Sequence, residues 1–391
     1  MKTIMKRTLS SLCLILFSGV LLAQDNAKTP AAADNVAAEK TGKAVEKGIA
    51  FLRTSQKNGA WSASPRTGIG PTTIILAGLL EAGAAPDDPM LADGLKFLEA
   101  ATRDDGGVYT PDGFFQNYET CCAVMCFAKA NAAVKAKTGK EPYKDLLAKA
   151  DKFLRKQQYT EERDTKPADA NYGGVGYGGT TRPDLSNTQF FLDALKAGGA
   201  KTDDPAIQKA LVFVSRCQNL ESEHNKMPFV AENSKNLDGG FIYVNQPSGS
   251  PARGPMAGES KDEAMKSYGS MTYAGLKSMA YAGLTKEDKR VKAAFDWMTK
   301  HYTVTENPGK GAAGLFYYYH SMAKALAVLD LPLVEAADGK KHDWRKDLTE
   351  QLVSQQKEDG SWTNEKSRQY MENDPNLATG YALLVLGLCK K

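Results

Sequence analysis

The sequence has few long apolar runs, and none that would comfortably span a bilayer. The longest, Leu9–Ala23, is shorter than the roughly 18 apolar residues that a membrane-spanning helix needs. It follows a short basic stretch ending at Arg7 and closes on a small residue, which is the arrangement of a secretory signal. We therefore predict a cleaved signal peptide over residues 1–23, a periplasmic or secreted protein, and no transmembrane segment after signal removal.

The protein also has no large excess of positive or negative charge. The formal net charge is +4. The predicted signal holds Lys2, Lys6 and Arg7 and no acid, so its removal lowers the charge by three, from +4 to +1. A near-neutral protein offers no basic surface for a phosphate backbone, and we predict no nucleic-acid partner.

Cysteine is too scarce and too irregular for a disulfide scaffold. Six are present, Cys13 leaves with the signal, and the odd number that remains leaves at least one thiol without an intramolecular partner. Cys122 and Cys126 stand four residues apart and share a helix face, as a metal pair or as small core residues would. Because free cysteine is usually buried, we favour the core. We predict no metal and no other cofactor.

Residues 24–43 lack periodic apolar positions and are rich in Ala, Asp, Asn, Lys and Thr, which predicts a flexible lead. The chain from residue 44 to 391 is long enough for one large domain or two ordinary ones. Internal repeats decide between these alternatives.

One unit recurs through residues 44–391. The first copy, Lys47–Trp61, places a Gln after a helical stretch and then a Gly-x-Trp turn, and the last copy repeats this around Gln356 and Trp362. Each copy continues into a second helical stretch with apolar residues at steps of three and four. These second stretches open at Thr73, Thr120, Thr188, Thr272, Tyr319 and Thr379.

Helix pairs of this kind must stack on their neighbours because neither helix buries its own apolar face. The last stretch, Tyr381–Leu388, stays apolar almost to the end of the chain and needs a partner, which the first unit supplies if the array closes. We therefore predict an all-α single domain, an α6/α6 toroid: a closed ring of six helix pairs around a central cavity.

The pattern K-G-x-x-F-L-x-x-x-Q-x-x-G-x-W at Lys47–Trp61 resembles the QW motif of squalene and oxidosqualene cyclases. The copy ending at Trp362 is similar, with one extra residue. On this basis residues 44–391 resemble the prenyltransferase and squalene-cyclase (terpenoid cyclase) repeat family. We expect the motif itself to be structural, with Gln bonding helix ends and Trp packing over the Gly turn. The resemblance implies a small apolar molecule, such as an isoprenoid, as substrate or ligand.

The chain departs from the family's two known reactions. Type II cyclisation uses an acid in a D-x-D-D stretch, which the sequence lacks. The zinc prenyltransferases resemble this chain at Tyr318-Tyr319-His320-Ser321, but the Asp and Cys ligands expected near Tyr268–Tyr273 are missing, and one His is a poor zinc site.

A third possibility is the lysis of a uronate polymer, which some α/α toroids perform with Tyr and His as acid and base. A toroid without catalytic activity that binds a ligand or a protein is a further alternative, and the sequence leaves open whether the protein is an enzyme. For any site, the candidate catalytic residues are His320, Tyr319 and Tyr318. Candidate binding residues at the cavity mouth are Tyr268, Tyr273, Asn117, Glu119 and Thr188.

Two long insertions interrupt the repeats. Residues 159–182 are rich in Gly and Tyr, and residues 219–267 are polar around a Pro-Ser-Gly-Ser-Pro core. Loops of this length in a compact domain often serve a function. We expect the two insertions to form a lid or a groove wall if they emerge on the same rim.

Overall fold

A computed structural model describes residues 30–64, 66–232, 237–246 and 265–390, without the side chains of 30–37 and 231–232. The chain divides into two units, Met1–Glu39 and Lys40–Lys391. The predicted signal peptide lies outside the described residues. The first helix, α1 (Pro30–Ser55), begins inside the segment 24–43, which we predicted to be a flexible lead. Its Ala-rich start and the proline at its first position favour a helix. The segment lacks periodic apolar residues, so the sequence pattern did not indicate this helix.

The described residues are mostly helical, consistent with an α/α toroid. Twelve helices follow α1: α2 (Gly70–Ala82), α3 (Pro89–Glu99), α4 (Gln116–Thr138), α5 (Lys144–Gln157), α6 (Leu185–Ala197), α7 (Pro205–Arg216), α8 (Pro228–Glu232), α9 (Gly269–Tyr281), α10 (Lys289–Lys300), α11 (Leu315–Val328), α12 (Trp344–Gln355) and α13 (Pro375–Cys389). Strands β1 (Val334–Glu335) and β2 (Lys341–His342) form a small antiparallel hairpin. No helix in the described ranges is long and apolar enough to cross a bilayer.

An aspartate stands at the N-cap, directly before the first residue, of many of the helices. Each accepts a hydrogen bond from a backbone N–H of the first turn, which satisfies one of the donors that a helix start leaves open. The aspartates that cap helices in this way are Asp88, Asp184, Asp204, Asp288, Asp343 and Asp374. Because these caps fix where the helices start, they also fix which loop residues gather at those starts.

The helices fall into an inner and an outer set. The inner helices are buried along most of their length. Contacts join α2 with α4, α4 with α6, α6 with α9, α9 with α11, α11 with α13, and α13 with α2. Outer helices α3, α5, α7, α10 and α12 each pack against an inner neighbour. The core therefore lies between the two sets.

A threonine near the start of most inner helices ties the preceding loop to the helix. Its hydroxyl accepts a hydrogen bond from the backbone N–H that follows the turn of the repeat, at 3.0–3.1 Å. The pairs are Trp61 with Thr72, Val108 with Thr120, Val175 with Thr188, Phe241 with Thr272, and Trp362 with Thr379. Every repeat that carries this threonine thus joins its turn to its inner helix in the same way.

A glutamine at the end of the outer helix joins successive repeats. Its side-chain Nε2 donates to a backbone carbonyl of a neighbouring outer helix at 2.8–2.9 Å. In three pairs this carbonyl lies in the first turn of the helix, whereas Ala44 lies in the interior of α1. The pairs are Gln56 with Met90, Gln158 with Ala206, Gln218 with Arg290, and Gln356 with Ala44. The last pair links the final outer helix to the first.

The tryptophan of the repeat forms a hydrogen bond with the outer helix of the same repeat. The Nε1 atoms of Trp61 and Trp362 each donate to a carbonyl of that helix at 2.8 Å, and both rings are buried. The turn before each ring needs glycine: Gly59 has φ +77° and Gly360 φ +88°. A Cβ at either position would come within 2.6 Å of a backbone carbonyl of the neighbouring repeat. The Trp side chains thus bond the protein's own backbone at helix ends.

The cysteines of α4 belong to the core. Cys122 and Cys126 are 1% exposed or less, and the Cys126 thiol donates to the Thr73 carbonyl at 2.9 Å. Burial raises the pKa of Cys126 to about 12. Both therefore act as small apolar residues, which was the favoured interpretation of their spacing.

Candidate functional site

Aromatic side chains gather where inner helices α4, α6, α11 and α13 begin. Their ring centroids form a chain: Tyr118 lies 5.4 Å from Phe190, Phe190 6.1 Å from Tyr317, and Tyr317 6.4 Å from Tyr381. Tyr118 and Tyr317 are partly exposed. We call this cluster the aromatic mouth; its members are Phe115, Tyr118, Tyr177, Phe190, Tyr243, Tyr317 and Tyr381.

Each of the two long insertions contributes a tyrosine to the aromatic mouth. Tyr177, from residues 159–182, lies edge-on to Phe115 at 5.3 Å and to Tyr118 at 6.1 Å. Tyr243, from the described part of residues 219–267, adjoins Tyr177. The insertions therefore supply part of the wall around the helix starts.

A buried carboxyl group lies beneath these rings. Asp184, the N-cap of α6, is 2% exposed and accepts hydrogen bonds from the backbone N–H of Asn187 at 2.8 Å and from its Nδ2 at 2.7 Å. Burial raises the pKa of Asp184 to about 6, against the opposing effect of these hydrogen bonds. The carboxyl is therefore part protonated in mildly acidic solution.

Two further polar side chains reach the aromatic mouth. The Ser186 and Tyr317 hydroxyls lie 2.9 Å apart. The Arg182 guanidinium stands 6.0 Å from the Tyr243 ring centre, and its buried Nη1 has no hydrogen-bond partner among the residues that the structure describes. A donor in this state can serve a bound acceptor.

A chain of buried polar groups continues from the aromatic mouth into the interior. Gln189 Nε2 donates to the Tyr317 hydroxyl at 3.3 Å, and Lys277 Nζ donates to both Gln189 Oε1 and Asp193 Oδ2. The Tyr281 hydroxyl donates to the other Asp193 oxygen at 2.8 Å. We call these five residues the axial chain.

The axial chain contains an ion pair that is removed from water. Lys277 is 0% exposed and Asp193 3%. Burial lowers the pKa of Lys277 to about 8, although Asp193 opposes this shift. Burial by itself raises the pKa of Asp193, but Lys277 and Lys324 outweigh it, and the pKa lies below its usual value. Both groups are therefore charged at neutral pH, and each needs the other.

A small pocket opens farther along the inner helices. It is lined by Glu81 of α2, Met125 and Lys129 of α4, His320 and Lys324 of α11, and Leu388 of α13, with other residues of these helices. His320 is 4% exposed, and its Nδ1 has no hydrogen-bond partner among the described residues. Burial, with Lys277 and Lys324, lowers the pKa of His320 to about 3. The imidazole is therefore neutral at physiological pH.

The three predicted catalytic residues do not point to one place. His320 lines the pocket, whereas the Tyr318 and Tyr319 hydroxyls donate to the backbone carbonyls of Thr303 and Val304 at 2.7 and 2.8 Å. Both tyrosines are 0% exposed. Successive residues on a helix face different directions, so a Tyr-Tyr-His run cannot line a single wall. These two tyrosines instead hold the loop before α11.

Three of the predicted mouth residues tie loops together. Glu119 accepts hydrogen bonds from the Ile69 N–H at 2.8 Å and the Thr110 N–H at 2.7 Å, and Asn117 Nδ2 donates to the Gly176 carbonyl at 2.8 Å. Thr188 makes the threonine link described above. All three are at most 1% exposed, and burial raises the pKa of Glu119. Their polar side chains thus bond the loops at the starts of the inner helices.

The remaining two predicted residues lie on or just before α9. Tyr273 is 2% exposed and its ring faces Tyr318 at 5.9 Å, within the core. Tyr268 is 9% exposed, with the Lys310 ammonium 4.9 Å from its ring centre. Neither belongs to the aromatic mouth as defined above.

Sequence reasoning missed Asp184. Its position directly before a helix marks it as an N-cap candidate, but the sequence does not show that packing buries it. The axial chain had a different signal, an Asp and a Lys inside otherwise apolar helices. An ionisable residue in such a position needs a buried partner, which points to Asp193 and Lys277.

No cluster of three or more metal-binding side chains occurs within the described parts of the chain. No family model matches the sequence. No curated protein matches it either.

Solved structures do resemble this fold. A variant of the type II terpene cyclase MstE from Scytonema, in its apo form, matches with a TM-score of 0.53 at 12% identity, over 91% of this chain and 98% of that chain. The apo cyclase itself matches with a TM-score of 0.51 at 11% identity, over 90% and 98%. A glycosidase variant matches with a TM-score of 0.44 at 13% identity, over 90% and 98%. At these identities the likeness to the cyclase concerns the fold alone.

Proposed function

We propose that residues 44–391 form an α6/α6 toroid that binds the end of an isoprenoid or other apolar molecule at its aromatic mouth. Closure of the helix pairs into a ring is supported by the bond from Gln356 Nε2 to the Ala44 carbonyl at 2.8 Å and by the packing of α13 on α2. The signal-like N-terminus supports export to the periplasm or the medium.

The aromatic mouth carries this proposal. Seven aromatic side chains, four of them partly exposed tyrosines, surround the start of α6. Ring faces give large apolar contact, and a few convergent polar groups orient what is bound. The shared fold with a type II terpene cyclase agrees with an apolar ligand of this class.

Binding fits the chemistry of this site better than alkene protonation. A carboxyl whose pKa lies near 6 is a weak acid, and an alkene accepts a proton only from a strong one. The sequence also lacks the D-x-D-D pattern that supplies the acid in type II cyclisation. We therefore assign Asp184, Ser186 and Arg182 to the polar end of the ligand and the rings to its apolar end.

The test is calorimetric titration of the mature protein with farnesol. Tyr177→Ala removes one ring from the aromatic mouth and should weaken binding about tenfold, as loss of about 1.4 kcal/mol of apolar contact would. The matched control is Tyr109→Ala, which removes a loop tyrosine that stacks on Phe153 at 5.6 Å. Absence of farnesol binding, or equal losses in the two variants, would contradict the proposal.

The Nη1 atom of Arg182, which has no hydrogen-bond partner in the described ranges of the chain, favours a second candidate, the lysis of a uronate polymer. Such an elimination removes a proton beside a carboxylate and expels the glycosidic oxygen, so it needs a cation, a base and an acid. At the aromatic mouth these would be Arg182, Tyr317 and Asp184, in place of the His320 cluster. Unsaturated products from polyuronate, lost in Arg182→Met, would support this candidate; wild-type protein that leaves the polymer intact would exclude it.

A further inference from the structure

We propose that the pocket beside His320 is a second binding site, separate from the aromatic mouth, and that it takes a small carboxylate with a short alkyl chain. The pocket lies among inner helices α2, α4, α11 and α13. None of its lining residues belongs to the aromatic mouth. The inference therefore stands whether or not the aromatic mouth binds an isoprenoid.

His320 provides the first argument. The ring is almost wholly buried, lines the pocket, and has an Nδ1 atom without a hydrogen-bond partner in the described parts of the chain. A buried polar atom in this state costs stability unless a ligand or water satisfies it. In the tautomer that carries the proton on Nδ1, the ring donates a hydrogen bond to an acceptor in the pocket.

The local balance of charge provides the second argument. Lys129 pairs with Glu81, and Lys277 pairs with Asp193. Lys324 adds a third ammonium, whose nearest carboxylate oxygen is on Asp193 at 3.8 Å, beyond hydrogen-bonding distance. Among the charged groups of these pairs, within the described residues, three ammonium groups stand against two carboxylates, and an anion in the pocket would balance the remaining positive charge.

The apolar lining selects among anions. Met125, Leu384 and Leu388 share the pocket with His320 and Lys324. A carboxylate can accept from both His320 and Lys324, while a short alkyl chain packs on these three side chains. Because an inorganic anion would leave the apolar lining without a partner, a short fatty acid anion fits better.

Butyrate is the probe, added to the mature protein and followed by the NMR signal of the His320 ring nitrogens. Butanol, which is uncharged and of similar length, is the comparison ligand. We expect saturable binding of butyrate, at least tenfold tighter than butanol, together with a shift of the His320 Nδ1 resonance. Butyrate that binds no better than butanol, or that leaves this resonance unmoved, would overturn the proposal.

Two variants locate the site. Lys324→Met keeps most of the side chain without its charge and should weaken butyrate binding at least tenfold, whereas Lys324→Arg should retain it. Tyr177→Ala, at the aromatic mouth, should leave butyrate binding unchanged. If Tyr177→Ala abolished butyrate binding while Lys324→Met did not, the anion would occupy the aromatic mouth and the second site would be refuted. Farnesol binding by Lys324→Met protein checks separately that the aromatic mouth is intact.

Discussion

At the scale of single residues, burial decides what each ionisable group does. Asp184 and Asp193 are both buried aspartates of α6, yet their pKa values move in opposite directions. Burial dominates at Asp184, whereas Lys277 and Lys324 outweigh it at Asp193. Proximity to a cation therefore separates a group that can take up a proton from one that remains charged.

Asp184 should make stability depend on pH. Its folded pKa of about 6 lies above the ordinary value, so the folded state holds a proton that the unfolded chain releases between about pH 4 and pH 6. Stability is therefore lost as pH rises through this window. Asp184→Asn retains the helix cap and removes the titration, so its stability relative to wild type should rise by about 2–3 kcal/mol between pH 4 and pH 7. Urea unfolding at the two pH values measures this.

The matched control is Asp88→Asn, at the cap of α3. Arg53 donates to both Asp88 oxygens, at 3.1 and 2.8 Å, and holds the pKa of Asp88 below its usual value. Its contribution is lost only as pH falls below about 4, so the difference from wild type should stay constant from pH 4.5 to pH 7. The same constant difference for Asp184→Asn would show that Asp184 titrates normally.

At the scale of helices, the sequence predicts where helices occur better than it predicts which of their side chains point inward. The spacing of apolar residues, the glycine turns and the Asp caps all mark helices, and the Gln and Trp roles follow from their positions at helix ends. An inner helix such as α11 is buried on every side, so no polar face shows which residues point inward. This is why Tyr318 and Tyr319 could not be told apart from His320.

The pairing of residues within the axial chain could not be predicted from the sequence for a related reason. Lys277 and Asp193 are 84 residues apart, and only the packing of α6 on α9 brings them together. Each side chain alone indicates that a buried partner exists, but not which one. The same holds for the aromatic mouth, whose rings come from helices and from two loops of different repeats.

The threonine link should stabilise every repeat that contains it. Thr188→Val keeps the shape of the side chain and leaves the buried Val175 N–H without its acceptor, so we expect a loss of about 1–3 kcal/mol in unfolding free energy. Thr188→Ser keeps the hydroxyl and should lose much less. Chemical denaturation compares the two variants, and similar losses in both would mean that the methyl group matters more than the hydrogen bond.

At the scale of the whole molecule, the contact between the last and first repeats is the feature to test. Gln356→Ala removes the bond to Ala44, and Gln158→Ala removes the equivalent bond to Ala206 between interior neighbours. In a closed ring these two contacts between repeats are equivalent. Both variants should therefore lose about 1–3 kcal/mol of unfolding free energy and still unfold in one transition. Hydrogen exchange would reveal early opening of α1 and α12 in Gln356→Ala if the repeats formed an open stack instead.

The axial chain has a consequence for molecular length. Gln189 lies one helical turn beyond Ser186 on α6, about 5 Å farther along the helix, and hydrogen-bonds both Tyr317 and the buried Lys277. We therefore expect a ligand that enters between the rings to meet Gln189 and Lys277 soon after it passes them, so that only the end of the ligand contacts the protein. Along a homologous series, affinity should climb for the shortest members and then level off, since every added carbon stays outside.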